Sequence, residues 1–578
     1  MSTSQTSPLP ATGSNRWLIG PASDLLLGCG VGYAIVLVGM LVLGPSTREL
    51  VPLGILPLAL LVTGTPHYGA TLMRVYNQRE SRRRYAVFSV WITCALVLAF
   101  AVACYWYELG SWLVTIYFDW SPWHYAGQNY GIALMFLHRR GVPVPALAKR
   151  LLYISFIFSF LLTFVNTNGT TAGALYALDA AETSAQSIGP VYHFMSIGIP
   201  RQLQSLLMIA GLIVYLGAMA GAFILLKRNA KVADLIPSAL LVATQSLWFV
   251  VPSAFRMWGL YGDTVPFSQA QFQYAFMWVA MGHSIQYLWI TTYYARREPT
   301  YRTTPRYLVQ CVLAGCIVWQ LPTFVFAPAI LGTVAYSDGL RMLVAAVVNL
   351  HHFVLDGAVW KLRDGRVASI LLRSGASTGP DLGVAPHRPW LRPTVWAVGA
   401  VCFAIAFVSI WEREFGVRRA HANGDIERMR SAVSRLIAIG QDESAIHRNL
   451  GILAAREKQP QLALEELEKS LLLAEHPRAW FEIGHLYAGS RDWQRTVSAY
   501  EAAYAIDAKP EMLIGRLAGA LMRLGDPDRA REVLLEGLLV HPGHSVLAQQ
   551  LDNVEQRLRD RASDGDGNAG EGASVPGL

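Results

Sequence analysis

The sequence predicts an all-α protein in two parts: a polytopic helical membrane domain of about 11 spans, then a soluble α-solenoid of helical repeats. Three observations carry this. With 53% hydrophobic and only 15% charged residues among 578, and a mean hydropathy of +0.32, the chain is too apolar for an ordinary soluble protein. Apolar runs of about 20 residues, the length that crosses a bilayer, recur from residue 24 to residue 411. After residue 412 the composition turns to Ala, Leu, Glu and Arg at helical spacing, and the pattern repeats itself.

Residues 1–23 form a polar N-terminal segment without the basic and apolar regions of a cleavable signal peptide. The multi-pass domain, 24–411, divides into spans near 24–44, 51–73, 86–106, 109–138, 151–167, 203–226, 232–254, 267–295, 308–330, 340–360 and 393–411. The fourth is expected to break where Asp119, Ser121 and Pro122 interrupt it. A Gly/Ser/Pro-rich connector, 364–392, precedes the last span. All six cysteines lie in apolar segments, without a C-x-x-C pair, and read as small buried hydrophobes.

The net charge of +8 sits in clusters at the ends of apolar runs, the pattern of membrane topology and not of nucleic-acid binding. Loops after the even-numbered spans hold groups such as Arg82, Arg83 and Arg84, Arg139 and Arg140, or Arg296 and Arg297. The alternate loops hold only Arg48, Arg201, Arg256 and Arg341. This places the basic loops and the N-terminus in the cytoplasm, in a cell (inner) membrane. Eleven spans then put the repeats on the periplasmic, extracytoplasmic side.

In the C-terminal part Leu450-Gly451, Ile483-Gly484 and Leu517-Ala518 correspond, as do Ala463, Thr496 and Ala530, and Leu467, Tyr500 and Leu534. The offsets are 33 and 34 residues, and Pro477, Pro510 and Pro542 fall where each helix pair turns. This resembles the tetratricopeptide repeat family over 444–561. The resemblance implies a concave groove for a protein or peptide partner. Residues 412–443 read as a linker or degenerate helical cap, and 562–578 as a disordered tail.

Inside the membrane domain, four spans carry histidine in a polar and aromatic setting. The motifs are Pro66-His67-Tyr68-Gly69, Trp123-His124-Tyr125, Gly282-His283-Ser284 and Asn349-Leu350-His351-His352. Ionisable groups cost a few kcal/mol in a bilayer, so they mark a functional site. Gln128, Gln286 and Asp356 each follow a histidine by one helical turn, the spacing at which they orient an imidazole or join it as a ligand. All four spans are even-numbered. Counting to the next basic residue places every histidine about 10–22 Å from the cytoplasmic boundary, at 1.5 Å per residue. The expected metal ligands are therefore His67, His124, His283, His351 and His352, with Asp356 as the anionic ligand or catalytic carboxylate. Gln128, Gln286, Tyr125, Tyr130, Tyr287 and Asn349 form the surrounding shell or substrate pocket.

Several imidazoles with one carboxylate suit non-haem iron; haem or another metal is the alternative cofactor. The Pro66-His67-Tyr68-Gly69-Ala70 run, with isolated histidines on further spans, resembles the bacterial Brp/Blh-type carotene-cleaving membrane oxygenases. That resemblance implies an all-helical oxygenase binding iron through histidine. The functional expectation is a membrane iron oxygenase or desaturase acting on a lipid or isoprenoid, in contact with membrane lipids and a hydrophobic small molecule. A transporter or proton-coupled channel, or a haem-binding membrane protein, is the alternative.

Overall fold

The computed structural model describes residues 16–51, 53–77, 83–169, 192–259, 272–298, 301–328, 330–360, 365–372, 391–508 and 510–567. The described residues are mostly helical, with one isolated bridge between Gly169 and Ile199 and no strand among them. They divide into two compact units, the second beginning at Trp411.

The span count is corrected. Six described helices are long and apolar enough to cross a membrane: Ala146–Thr167, Arg201–Lys227, Val232–Trp258, Thr304–Val325, Arg341–Val359 and Pro393–Asn423. The pair Pro21–Gly28 and Val31–Leu43, bent by 58°, makes a seventh if it counts as one. The remaining expected spans fall short for physical reasons. Val87–Ala103 is too short, and the run expected at 51–73 is interrupted at Gly64 into Leu56–Thr63 and Thr65–Tyr76. Tyr107–Arg139 and Phe272–Ala295 are long enough, but each carries a row of polar side chains. The break expected at Pro122 is absent: Tyr107–Arg139 is one helix of 33 residues through it.

The helix Thr65–Tyr76 packs against Thr304–Val325 by backbone contact. A Cβ on Gly69 would stand 1.8 Å from the Cys311 carbonyl oxygen, and one on Gly315 would stand 2.1 Å from that of Thr65. Small residues at the crossing permit this approach, as is usual for helices packing in an apolar medium. The glycine of the Pro66-His67-Tyr68-Gly69 motif therefore serves the packing that fixes His67 in place. All six cysteines are free thiols, buried except Cys94.

The second unit is an array of stacked helix pairs, a helical repeat fold. Its pairs are Ser444–Arg456 with Pro460–Leu473, Pro477–Gly489 with Trp493–Ile506, and Glu511–Leu524 with Pro527–Val540. The first two pairs close at the same register: Gly451 lies under Leu467 and Gly484 under Tyr500, 16 residues apart in both. Asp492 and Asp526 cap the second helices of their pairs by accepting from the backbone N–H of Arg495 and Arg529. The segment 412–443 is folded, not a linker. Its helix Ile426–Ala438 is tied back by Arg428 and Arg435 to Glu412 at 3.2 and 2.8 Å. The last helix, Ser545–Gly567, enters the expected tail; 568–578, most of the connector 364–392 and residues 1–15 lie outside the described residues.

Candidate metal centre

Four helices deliver one histidine each to a common point. His67 comes from the first turn of Thr65–Tyr76, His124 from Tyr107–Arg139, His283 from Phe272–Ala295 and His352 from Arg341–Val359. Ring centroids of His67 lie 4.2 Å from His352 and 4.9 Å from His283; His124 lies 4.9 Å from His352 and 5.2 Å from His283. One ligand atom from each of His67, His124 and His283 falls within 4.8 Å of the others, and so does the set His124, His352 and Asp356.

The ladder of contacts below the rings shows how the helices run. One turn beyond His67 and His352, Thr71 meets Asp356; two turns beyond, Arg74 donates to the Val359 carbonyl. One turn beyond His283, Tyr287 meets Thr71 at 2.5 Å. Beyond His124, Gln128 meets Gln286 at 2.6 Å. Equal steps on each helix mean that all four are parallel.

Asp356 is held by donors. Thr71 Oγ1 and Tyr287 OH both donate to its Oδ1, at 2.9 and 2.6 Å, and Trp360 Nε1 donates to the Tyr287 oxygen at 3.1 Å. Thr71 Oγ1 also meets His352 Nδ1 at 3.0 Å. In the tautomer where Nδ1 donates to it, Nε2 keeps its lone pair. That Nε2 stands 3.4 Å from Asp356 Oδ2. A ring nitrogen and a carboxylate oxygen so placed in a buried site call for a proton or a cation between them. The remaining imidazoles show the same deficit: His67 Nδ1, His124 Nε2 and both nitrogens of His283 are buried without a hydrogen-bond partner, as is His352 Nε2. Each unsatisfied buried polar atom costs about 1–3 kcal/mol.

Aromatic faces wall the cluster. Tyr125 stacks on His283 at 3.8 Å, Phe353 stacks on His124 at 4.5 Å, and Tyr287 lies edge-on to His67 at 4.3 Å. Trp248 and Phe249, on a widened π-helical turn, pack behind Tyr125.

Several expected site residues lie elsewhere. His351 is not in the cluster. Neighbours on a helix point about 100° apart, so with His352 inward His351 turns away, and its Nε2 meets Thr93 and Tyr76 at 3.0 and 3.3 Å. Gln128 and Gln286 do not orient imidazoles. They bond each other, and Gln286 continues to the Gly28 carbonyl and to Asn129, which bonds Gln245. Tyr130 packs against Tyr153 and Phe156, away from the site. Asn349 accepts from Tyr68 OH at 2.9 Å and so braces the neighbour of His67. Thr71 was missed, although it follows His67 by the same four residues that singled out Asp356.

A haem does not fit. His67 and His124, whose rings lie 6.4 Å apart, have His283 and His352 packed beside both, where the macrocycle would lie. A single ion fits better. Two nitrogens bound at about 2.1 Å stand at most about 4.2 Å apart, and the ligand atoms within each of the two three-residue groups come within 4.8 Å of one another.

No family model and no curated protein matches the chain. Among solved structures, the chain is similar to the crystal structure of the APC/C hetero-tetramer Cut9–Hcn1, at 14% identity over 84% of this chain and 98% of that one, with a TM-score of 0.22. At that TM-score the likeness carries no function. The functional expectation is corrected because no family model or curated protein supports it, and what the chain itself displays is a C-terminal stack of helix pairs. An iron oxygenase or desaturase for a lipid or isoprenoid is set aside, with its transporter, channel and haem alternatives. The resemblance to carotene-cleaving oxygenases rests on a few motif residues and finds no support.

Proposed function

We propose that the protein is a membrane-anchored recruitment protein, whose helical repeats bind a protein or peptide partner. The observation that carries this is the regular stacking of three helix pairs, with Gly451 and Gly484 closing two successive pairs at the same register. A stack of this kind presents the first helices of its pairs side by side as one continuous surface. Exposed side chains on those helices, among them His485 and Met512, are available to a partner.

In this reading the first unit lies in the cell membrane, in contact with its lipids. The four parallel helices support that orientation, because Arg74, Arg139 and Arg296 mark the same end of three of them. That end is cytoplasmic. One further apolar helix then carries the chain out, so the repeats face the extracytoplasmic side; a reporter fused after Leu578 tests this. For recruitment, full-length protein is compared with a His485→Glu, Met512→Glu variant after cross-linking in native membranes. Loss of a specific cross-linked partner with unchanged thermal unfolding is expected. Identical cross-link patterns from the two proteins would sink the reading.

A further inference from the structure

We propose that the first unit binds one divalent first-row transition ion of borderline softness, iron or zinc in character, through His67, His124, His283 and His352, with Asp356 as the oxygen donor. Recruitment does not depend on this site, and the two readings stand or fall separately.

The argument is one of unmet demand. His67, His283 and His352 are only 2%, 3% and 2% exposed, and each aims at least one unpartnered nitrogen into the cluster. Without an ion, these atoms would be stripped of water and given nothing in return. Neutral imidazoles attract one another weakly, so mutual affinity does not explain four of them meeting from four helices. A shared cation does. Nitrogen donors exclude magnesium and calcium, which take oxygen ligands. The lack of a thiolate among the donors disfavours copper(I).

The surroundings are arranged as a ligand shell needs them. In the tautomer where His352 Nδ1 donates to Thr71, Nε2 is left to the ion, while Tyr287 joins Thr71 in fixing Asp356. Partners of this kind set the tautomer and orientation of a ligand, and their removal usually costs 10–100-fold in affinity. Thr71 and Tyr287 are positioning residues; they do not reach the ion. His351, adjacent in sequence, is satisfied by Thr93 and Tyr76 and takes no part.

The test is elemental analysis of tag-free, full-length protein purified in detergent from cells supplied with iron, zinc or cobalt. About one equivalent of a single metal per chain is expected. Cobalt-grown protein should show visible d–d absorption of a nitrogen-rich site, which adventitious surface ions do not give. The His283→Ala variant should lose at least 10-fold in occupancy and His351→Ala nothing. The Thr71→Ser variant, which keeps the hydroxyl, should retain metal where Thr71→Val loses it. Well-folded wild-type protein free of metal under all three supplies overturns the proposal. So does equal occupancy in wild type and a folded His67→Ala, His283→Ala double variant.

Discussion

Two buried histidines, one in each unit, are solved in opposite ways. His447 in the repeats places Nδ1 2.6 Å from Glu466 and Nε2 2.8 Å from Asp442, so both nitrogens are used by the protein itself. His283 in the first unit is equally buried, yet neither of its nitrogens has a partner. Burial alone therefore says little about a histidine. What distinguishes a structural imidazole from one awaiting a ligand is whether the fold closes its hydrogen-bond account.

Glycine draws the same contrast, and offers the sharpest way to break it. A Cβ on Gly69 would meet a backbone carbonyl at 1.8 Å, whereas one on Gly484 would meet the side-chain ring of Tyr500 at 2.5 Å. A Gly69→Ala substitution must separate two helices and with them move His67. It should cost more than the roughly 1–3 kcal/mol usual for overpacking, and lower both folded yield and metal content. Gly484→Ala should fall within that range and leave metal content intact; equal costs would erase the distinction between backbone and side-chain packing.

The satisfied histidine is tested next. Replacing His447 with Ala leaves the buried Glu466 with Lys469, 2.8 Å away, as its remaining partner. Breaking a buried pair costs about 3–5 kcal/mol, and Lys469 should hold the loss to the lower end. Hydrogen exchange over 444–473 in the full-length protein measures it, and no change there would mean that His447 is a bystander.

A smaller effect is the pH response of the repeats. Burial alone would lower the His447 pKa, but hydrogen bonds and charge from Glu466 and Asp442 outweigh it and hold the imidazole above its ordinary value. A raised folded value means that its stabilisation is complete below the unfolded pKa of about 6.5 and fades as pH climbs through the folded value. His476 runs the other way. Burial, then Arg448 and Arg478, push it down to about 4, so its contribution is present above about 6.5 and is lost on acidification toward 4. Exchange protection over 444–489 should therefore peak near about pH 6.5, and His447→Gln should flatten the alkaline limb only.

The sequence displayed the repeats and the four cluster histidines clearly, because both are periodic: 33 or 34 residues in one case, one imidazole per polar helix in the other. Spacing also carried Asp356. It could have carried Thr71, and could have removed His351, which sits about 100° around the helix from His352. The fate of Gln128 and Gln286 was not legible in spacing. An amide one turn from a histidine has the reach to orient it, but here each found the other amide across the helix interface. Span counting failed for a related reason. The helices that carry His124 and His283 read as spans in the sequence, but the polar side chains of the site leave them less apolar than a membrane-crossing helix.

The closed burial of the cluster has a temporal consequence. Three of the four rings are only 2–3% exposed and His124 is half-buried, so the cluster opens little to solvent. An ion held there would enter as the helices assemble and leave only when they part, so release would follow the rate of local opening, whatever the equilibrium affinity. Such a centre would be kinetically inert, slow to yield to chelators, and its content would record the metal supply at the time the chain folded.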